Sequence, residues 1–166
     1  MFDDLIQAAS AKWQVPVPWI QAVIETESSW SASAYREEPQ INDASYGLMQ
    51  LLYKTAKSLG YSGAPEGLFQ PGVNIDLGTK LLSNLRKSYG DDFRRVYSAY
   101  NSGNPDAWET SSQVAANVAR ALVALERYVG LAVGVVTQSP GAAIAVLVAF
   151  VLFWTWGGGR PPKKKK

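Results

Sequence analysis

The chain has 166 residues, which is enough for one compact domain and an appended segment. It contains no Cys and no His, which excludes thiolate and imidazole nucleophiles, His-based triads and the usual zinc sites, so proton transfer falls to Asp, Glu, Tyr or Lys. Residues 1–128 carry 11 basic and 14 acidic side chains, a net charge of −3, which argues against nucleic-acid binding outside the basic C-terminal tail.

The spacing of apolar residues predicts a mainly helical chain. Residues 2–13 form a first amphipathic helix, and Pro18 suits the first turn of a second one. Residues 31–45 indicate an irregular loop. No alternating pattern is strong enough to predict a sheet. The remaining helices are predicted over about residues 46–59, 77–89, 93–100 and 112–128.

A glutamate follows the apolar stripe of the second predicted helix. Glu27 lies three residues beyond Ile24 and four beyond Val23, so it continues that stripe. Glu25 lies about 200° around the helix from Glu27 and should face elsewhere. The two glutamates are therefore not expected to form a paired-carboxylate site.

The C-terminal segment differs in composition from the rest. The chain carries no charge between Arg127 and Arg160, and residues 141–159 have about the length and apolar character of a short transmembrane helix. Trp154 and Trp156 lie at its end, where interfacial aromatic residues belong. A buried core helix is the alternative, but such helices usually lack a basic flank. We predict four parts: a domain over 1–128, a linker over 129–140, a transmembrane helix over 141–159 and a basic tail over 160–166.

Five short motifs occur in one order along residues 5–128, and together they resemble the catalytic domain of soluble lytic transglycosylases, which is similar to goose-type lysozyme. They are Glu27-Ser28, Ser45-Tyr46-Gly47-Leu48-Met49-Gln50-Leu51, Thr55-Ala56, Asn74-Ile75-Asp76-Leu77-Gly78 and Ala99-Tyr100-Asn101-Ser102-Gly103. The resemblance implies a mainly α, lysozyme-like (α+β) domain that acts on peptidoglycan without a cofactor or a metal. One departure is Leu52-Tyr53, where the family usually has Met-Pro.

The resemblance also implies a mechanism with one carboxyl group. Glu27 would protonate the bond between N-acetylmuramic acid and N-acetylglucosamine and would then take a proton from the muramyl C6 hydroxyl, giving a 1,6-anhydro product. The apolar setting of Glu27 favours its neutral form. If a second carboxylate takes part, Asp43 is the candidate, although a turn residue is the alternative reading.

The other motif residues receive substrate-binding roles by the same resemblance. Gly47 would let the backbone approach the sugar, and Met49 and Gln50 would line the subsite. Tyr100 would position Glu27 or the N-acetyl group, with core packing as the alternative for Tyr100 and Met49. The remaining members of the implied site are Ser28, Ser45 and Asn101.

Three hypotheses follow from the sequence. The first is a membrane-anchored lytic transglycosylase. Because the N-terminus lacks the features of a secretory signal, we expect a phage-encoded enzyme that opens the wall locally as the genome enters the cell, with other virion proteins as further partners. The second is a lysozyme-like hydrolase for host lysis. The third, from another class, is a non-catalytic glycan-binding or structural membrane protein of a virion.

Overall fold

The computed structural model describes the backbone of residues 2–137 and the side chains of residues 2–130. One compact unit spans Met1–Tyr128. Among the described residues, none of the helices combines the length and the hydropathy that a membrane crossing requires. The predicted transmembrane helix (141–159) and the basic tail (160–166) lie outside the described residues.

Helices dominate the described part of the chain, as the apolar spacing predicts. They are α1 (Asp3–Trp13), α2 (Val17–Ser28), α3 (Tyr53–Ser58), α4 (Pro71–Tyr89), α5 (Phe93–Ser102) and α6 (Ser112–Thr137). Pro18 lies in the first turn of α2, and α5 ends at Gly103 in the left-handed conformation. Helix α6 continues past residue 128 to Thr137, into the predicted linker, because the chain has no proline before Pro140 to interrupt it.

A small antiparallel sheet replaces the predicted loop at 31–45 and the start of the predicted helix at 46–59. Its strands pair in the order β1 (Tyr35–Glu38), β2 (Asp43–Tyr46), β3 (Leu51–Leu52). The alternating pattern did not indicate this sheet because strands of two to four residues are too short to display one; a small sheet agrees with the (α+β) fold that the resemblance implies. The helix over 46–59 was wrong in its first half: Gly47 and Gln50 have φ values of +70° and +46°, which a right-handed helix does not accept.

The core is organised around α2. Its residues Ile20, Val23 and Ile24 are fully buried, and they share one hydrophobic cluster with Leu82 of α4 and Val96 of α5. Burying an aliphatic side chain contributes roughly 1.5–3 kcal/mol to folding, so this stripe fixes the orientation of α2 firmly. The position of the last turn of α2, which carries Glu27, is therefore set by the core.

A buried asparagine on α4 holds the turn between β2 and β3. The side chain of Asn74 is 0% exposed; its Oδ1 accepts from the backbone N–H of Met49 at 2.7 Å, and its Nδ2 donates to the carbonyls of Tyr46 and Leu68, both at 2.8 Å. Two of these bonds satisfy backbone groups at the β2–β3 turn, and the third satisfies the carbonyl of Leu68 in the segment before α4. The segment Gly47–Gln50 is thus tied to α4.

Candidate active site

Glu27 lies in the last turn of α2, where the helix ends abruptly. Ser29 and Trp30 follow with φ values of +51° and +68°, which turn the chain away from the helix axis. The carboxylate of Glu27 meets α5, where the hydroxyl of Tyr97 donates a hydrogen bond of 2.7 Å to Oε1. The sequence prediction that Glu27 continues the apolar stripe of α2 agrees with this position next to the core.

The surroundings of Glu27 favour its neutral form. The side chain keeps some solvent exposure, but burial is the largest influence on its pKa and raises it above the ordinary value of a glutamate. The hydrogen bond from Tyr97 and the positive charges of Arg36 and Arg120 lower the pKa and offset part of that rise. The net direction is upward, which suits a general acid.

A stack of aromatic rings on α5 supports the carboxylate. Tyr97 is 1% exposed and lies between Phe93, at 5.9 Å between ring centroids and 16° between planes, and Tyr100, at 6.3 Å and 10°. The hydroxyl of Tyr100 donates to the backbone carbonyl of Met49 at 2.6 Å. The tyrosine that bonds to Glu27 is therefore Tyr97, and the motif residue Tyr100 connects α5 to the β2–β3 turn.

Tyr97 was not among the predicted site residues. Periodicity assigns it to the apolar face of α5, and its aromatic body does pack there. One signal could have identified it: Tyr97 precedes Tyr100 by three residues, so both side chains project from the same face of α5. A buried tyrosine hydroxyl requires a partner, and here the partner is Glu27.

Met49 and Gly47 have structural surroundings that differ from their expected sugar contacts. Met49 is 0% exposed and packs against Gly78 of α4, so its side chain is part of the core, the alternative that the sequence left open. A Cβ at Gly47 would lie 2.6 Å from both the Asn74 amide nitrogen and the Leu68 carbonyl oxygen. Glycine is required at position 47 by this close approach within the protein and by its positive φ.

Three other predicted binding residues make hydrogen bonds within the protein. The amide nitrogen of Gln50 donates to the carbonyls of Ala34 and Gly47, at 3.1 and 3.0 Å, and so stabilises its own turn. Ser45 is 2% exposed and donates to Glu38 at 3.3 Å, while Ser28 donates to the Ile24 carbonyl within α2 at 3.1 Å. Their substrate-binding roles stay predictions.

Asn101 connects α5 to α6. Its Oδ1 accepts a hydrogen bond of 3.1 Å from Asn117, and Asn117 in turn accepts one of 2.6 Å from Arg120. Arg120 is one of the two arginines whose charge acts on Glu27. Asn101 thus links α5 to α6, and its sugar-binding role stays a prediction.

Asp43 is occupied as a structural carboxylate. Its Oδ1 accepts from the backbone N–H of Ala44 at 2.8 Å, and its Oδ2 accepts from the backbone N–H of Lys54, in the first turn of α3, at 3.0 Å. A side chain that satisfies a free N–H at a helix start acts as a cap. The geometry therefore favours the turn reading of Asp43 over a second catalytic carboxylate.

Acidic side chains do not assemble into a metal site in the part of the chain that the structure describes, since no group of three or more is close enough to hold an ion. An open cavity of about 600 Å³ lies away from Glu27, between α1, α4 and residues 59–63, and its lining includes Trp13, Tyr61 and Lys80. Around Glu27 the structure has one carboxyl group with a tyrosine partner, and a carboxyl group in this setting can transfer a proton.

Known structures share this fold. The chain is similar to the lytic transglycosylase Slt of Pseudomonas aeruginosa, solved as an inactive mutant, with a TM-score of 0.65 and 21% identity over 74% of this chain and 23% of that one. It is also similar to a 70-kDa soluble lytic transglycosylase in complex with bulgecin A, with a TM-score of 0.67 and 20% identity over 87% of this chain and 26% of that one.

Sequence comparison gives a more specific relationship. The chain is 36% identical over 113 residues to membrane-bound lytic murein transglycosylase C of Shigella sonnei, and the alignment covers 60% of this chain and 30% of that relative. The match thus spans less than a third of the relative's length. The sequence model of the family "Transglycosylase SLT domain" matches residues 4–123, which is most of the chain. The chain therefore belongs to the Transglycosylase SLT domain family.

Proposed function

We propose that this protein is a peptidoglycan lytic transglycosylase with Glu27 as its general acid and base. The observation that carries the proposal is the setting of Glu27, a carboxyl group whose burial raises its pKa and whose Oε1 is held by Tyr97. A raised pKa leaves more of the acid protonated near neutral pH, where a glycosidic oxygen needs a proton to leave. The same activity is supported by membership of the family and by the similarity to proteins that are themselves named lytic transglycosylases.

The reaction needs a single carboxyl group. Protonated Glu27 gives its proton to the glycosidic oxygen, the bond from C1 of N-acetylmuramic acid to that oxygen breaks, and N-acetylglucosamine leaves as the alcohol. The substrate's acetamido oxygen bonds to C1 and compensates for the lost electron pair. The Glu27 carboxylate then takes the proton of the muramyl C6 hydroxyl, O6 bonds to C1, and the acetamido group is released, giving the 1,6-anhydro product. Glu27 ends the cycle protonated.

Digestion of purified sacculi followed by mass spectrometry tests the proposal. The transglycosylase is expected to release fragments that end in 1,6-anhydromuramic acid. Fragments with reducing ends instead would identify the lysozyme-like hydrolase. Binding to sacculi with no release of fragments would indicate the non-catalytic glycan-binding protein.

A membrane location is a second part of the proposal, and the sequence of residues 141–166 supports it. The apolar segment, the two tryptophans and the basic tail together suit insertion into a bilayer with an anionic surface. Co-sedimentation with vesicles of mixed neutral and anionic lipids checks this: residues 1–166 should sediment with the vesicles, and residues 1–140 should stay in the supernatant. The phage-encoded role stays a prediction.

A further inference from the structure

We propose that Tyr97 is a positioning residue that fixes which oxygen of Glu27 carries the catalytic proton. The inference rests on the proposed function and adds a residue that neither the motifs nor the expected mechanism includes. Tyr97 hydroxyl and Glu27 Oε1 are 2.7 Å apart, which is a normal length for a hydrogen bond between a hydroxyl and a carboxyl oxygen. Tyr97 acts through Glu27 and is not itself expected to contact the substrate.

The Tyr97 ring has little freedom to move. It is 1% exposed and is stacked between Phe93 and Tyr100 on α5, while Phe93 is itself held edge-on by Trp19 of α2 at 5.1 Å between ring centroids. Because the interior is close-packed, turning the ring would require displacement of these neighbours. The hydroxyl is therefore presented to Glu27 in a fixed direction from a rigid element, which is the arrangement that precise catalytic geometry requires.

The hydroxyl is a permanent donor. Burial, followed by the nearby negative charge of Glu27, raises the pKa of Tyr97 far above that of a free tyrosine, so the hydroxyl keeps its proton throughout the working pH range. A tyrosine has one such proton, and Oε1 of Glu27 accepts it. When Glu27 is neutral, Oε1 then serves as its carbonyl oxygen, and the acidic proton resides on Oε2.

This arrangement gives each oxygen of Glu27 a separate task. Oε2 delivers the proton to the glycosidic oxygen and later receives the C6 hydroxyl proton, while Oε1 stays bonded to Tyr97 in both steps. No proton passes through Tyr97, so the proton balance of the reaction is unchanged. Because the carboxyl group does not rotate between the two steps, its position with respect to the substrate is the same in each.

The same hydrogen bond lowers the pKa of Glu27 and so limits the rise that burial produces. The other groups acting on Glu27 are Arg36 on β1 and Arg120 on α6, and the neutral phenol of Tyr100 lies beside it on α5. All three remain when Tyr97 is replaced by phenylalanine. That replacement should therefore raise the pKa of Glu27 and move the alkaline limb of the pH–rate profile to higher pH.

The test uses Tyr97→Phe in the full chain, with Tyr128→Phe as the matched control. Tyr128 also donates to a glutamate, at 2.5 Å, but its partner is Glu25, which the proposed reaction does not use. For Tyr97→Phe we expect kcat on purified peptidoglycan to fall about 10–100-fold with KM nearly unchanged, and the alkaline limb to move up. Tyr128→Phe should change neither quantity. Unchanged kcat and pH limb in folded Tyr97→Phe would overturn the inference.

Two further measurements cover the case in which Tyr97→Phe loses stability or the protein proves inactive. NMR titration of ¹³C-labelled glutamate carboxyl groups, assigned through Glu27→Gln, reports the pKa of Glu27 without any turnover. Fluorotyrosine at position 97 keeps the packing but donates more strongly, so it should lower that pKa. If wild-type protein releases no glycan, the proposed function fails, whereas an unchanged Glu27 pKa in both variants refutes the role of Tyr97.

Discussion

Glu25 and Glu27 are two residues apart on α2, yet they contact different helices. Glu27 accepts from Tyr97 of α5, whereas Glu25 accepts from Tyr128 of α6 and forms an ion pair with Arg127, also on α6. Two residues correspond to about 200° around a helix, so this separation follows from helix geometry. The prediction that these carboxylates do not form a pair agrees with the structure, and the difference between their surroundings provides a matched experiment.

Replacing Glu27 by glutamine should lower the rate of glycan release by about 10²–10⁴-fold, because the amide keeps the shape of the side chain but has no acidic proton. Replacing Glu25 by glutamine should leave the rate within about twofold. The loss of its partly exposed ion pair should lower the free energy of unfolding by at most about 1 kcal/mol. Turbidity loss of purified sacculi measures both rates. Equal losses in the two variants would contradict the assignment of Glu27.

The raised pKa of Glu27 also predicts an effect on stability. A carboxyl group that binds its proton more tightly in the folded state favours folding at low pH, and this advantage is lost as pH rises from the ordinary value of 4.5 through the raised value. Above that window, folding includes the cost of an ionised and partly desolvated carboxylate. Glu27→Gln removes this cost, so its Tm should exceed that of the wild type at neutral pH.

Thermal unfolding followed by circular dichroism from about pH 4 to 8 measures this effect. The difference in Tm between Glu27→Gln and the wild type should grow with pH through the window and then level off. The stabilised variant should be the inactive one, which is the trade-off expected when a catalytic group is held in an unfavourable environment. A difference that shrinks as pH rises would mean that the pKa of Glu27 is lowered in the folded state.

The long helices and the position of Glu27 could be predicted because both depend on a helical repeat sustained over several turns. Glu27 follows Val23 and Ile24 at helical spacing, and the structure has this stripe in the core. The end of α6 could not be located in the same way. The charged residues stop after residue 127, but nothing between residues 128 and 137 interrupts a helix strongly, so the change in composition does not coincide with the end of α6.

The small sheet and the roles of the motif residues were harder to predict because they depend on contacts between distant segments. Asn74 is 28 residues from Tyr46, and the hydrogen bond between them exists only once α4 packs beside the β2–β3 turn. The same applies to Tyr97 and Glu27, which are 70 residues apart. The motif order indicated the family, but it did not reveal that Met49 and Gly47 pack inside the protein.

Asn74→Ala should strongly destabilise the fold. It would leave a buried backbone N–H, a buried carbonyl and a partly buried carbonyl without the partners that they have now, and each unsatisfied buried group costs about 1–3 kcal/mol before relaxation. We expect a loss of about 3–5 kcal/mol in the free energy of unfolding, measured by urea denaturation. Asn84→Ala, at an exposed position on the same helix, should change it by less than about 0.5 kcal/mol. A change for Asn74→Ala as small as that for Asn84→Ala would show that the three hydrogen bonds of Asn74 contribute little to stability.

Gly78→Ala tests the packing between α4 and the β2–β3 turn. In a helix this substitution normally stabilises by roughly 0.5–1 kcal/mol, but at position 78 the new Cβ would overlap the sulfur of Met49 and lie 3.0 Å from its Cβ. Met49 is fully buried, so moving its side chain would displace close-packed neighbours, and we expect a loss of about 1–3 kcal/mol.

Gly72→Ala on the same helix is the control for this prediction. The nearest atom to its new Cβ is Leu5 Cδ2 at 3.6 Å, an ordinary contact, so the free energy of unfolding should stay constant or rise by up to about 1 kcal/mol. Opposite signs for the two substitutions, in parallel urea titrations, would show that Met49 requires glycine at position 78. A gain in stability from Gly78→Ala would mean that the turn carrying Met49 moves easily, and that α4 does not hold it rigidly against the candidate site.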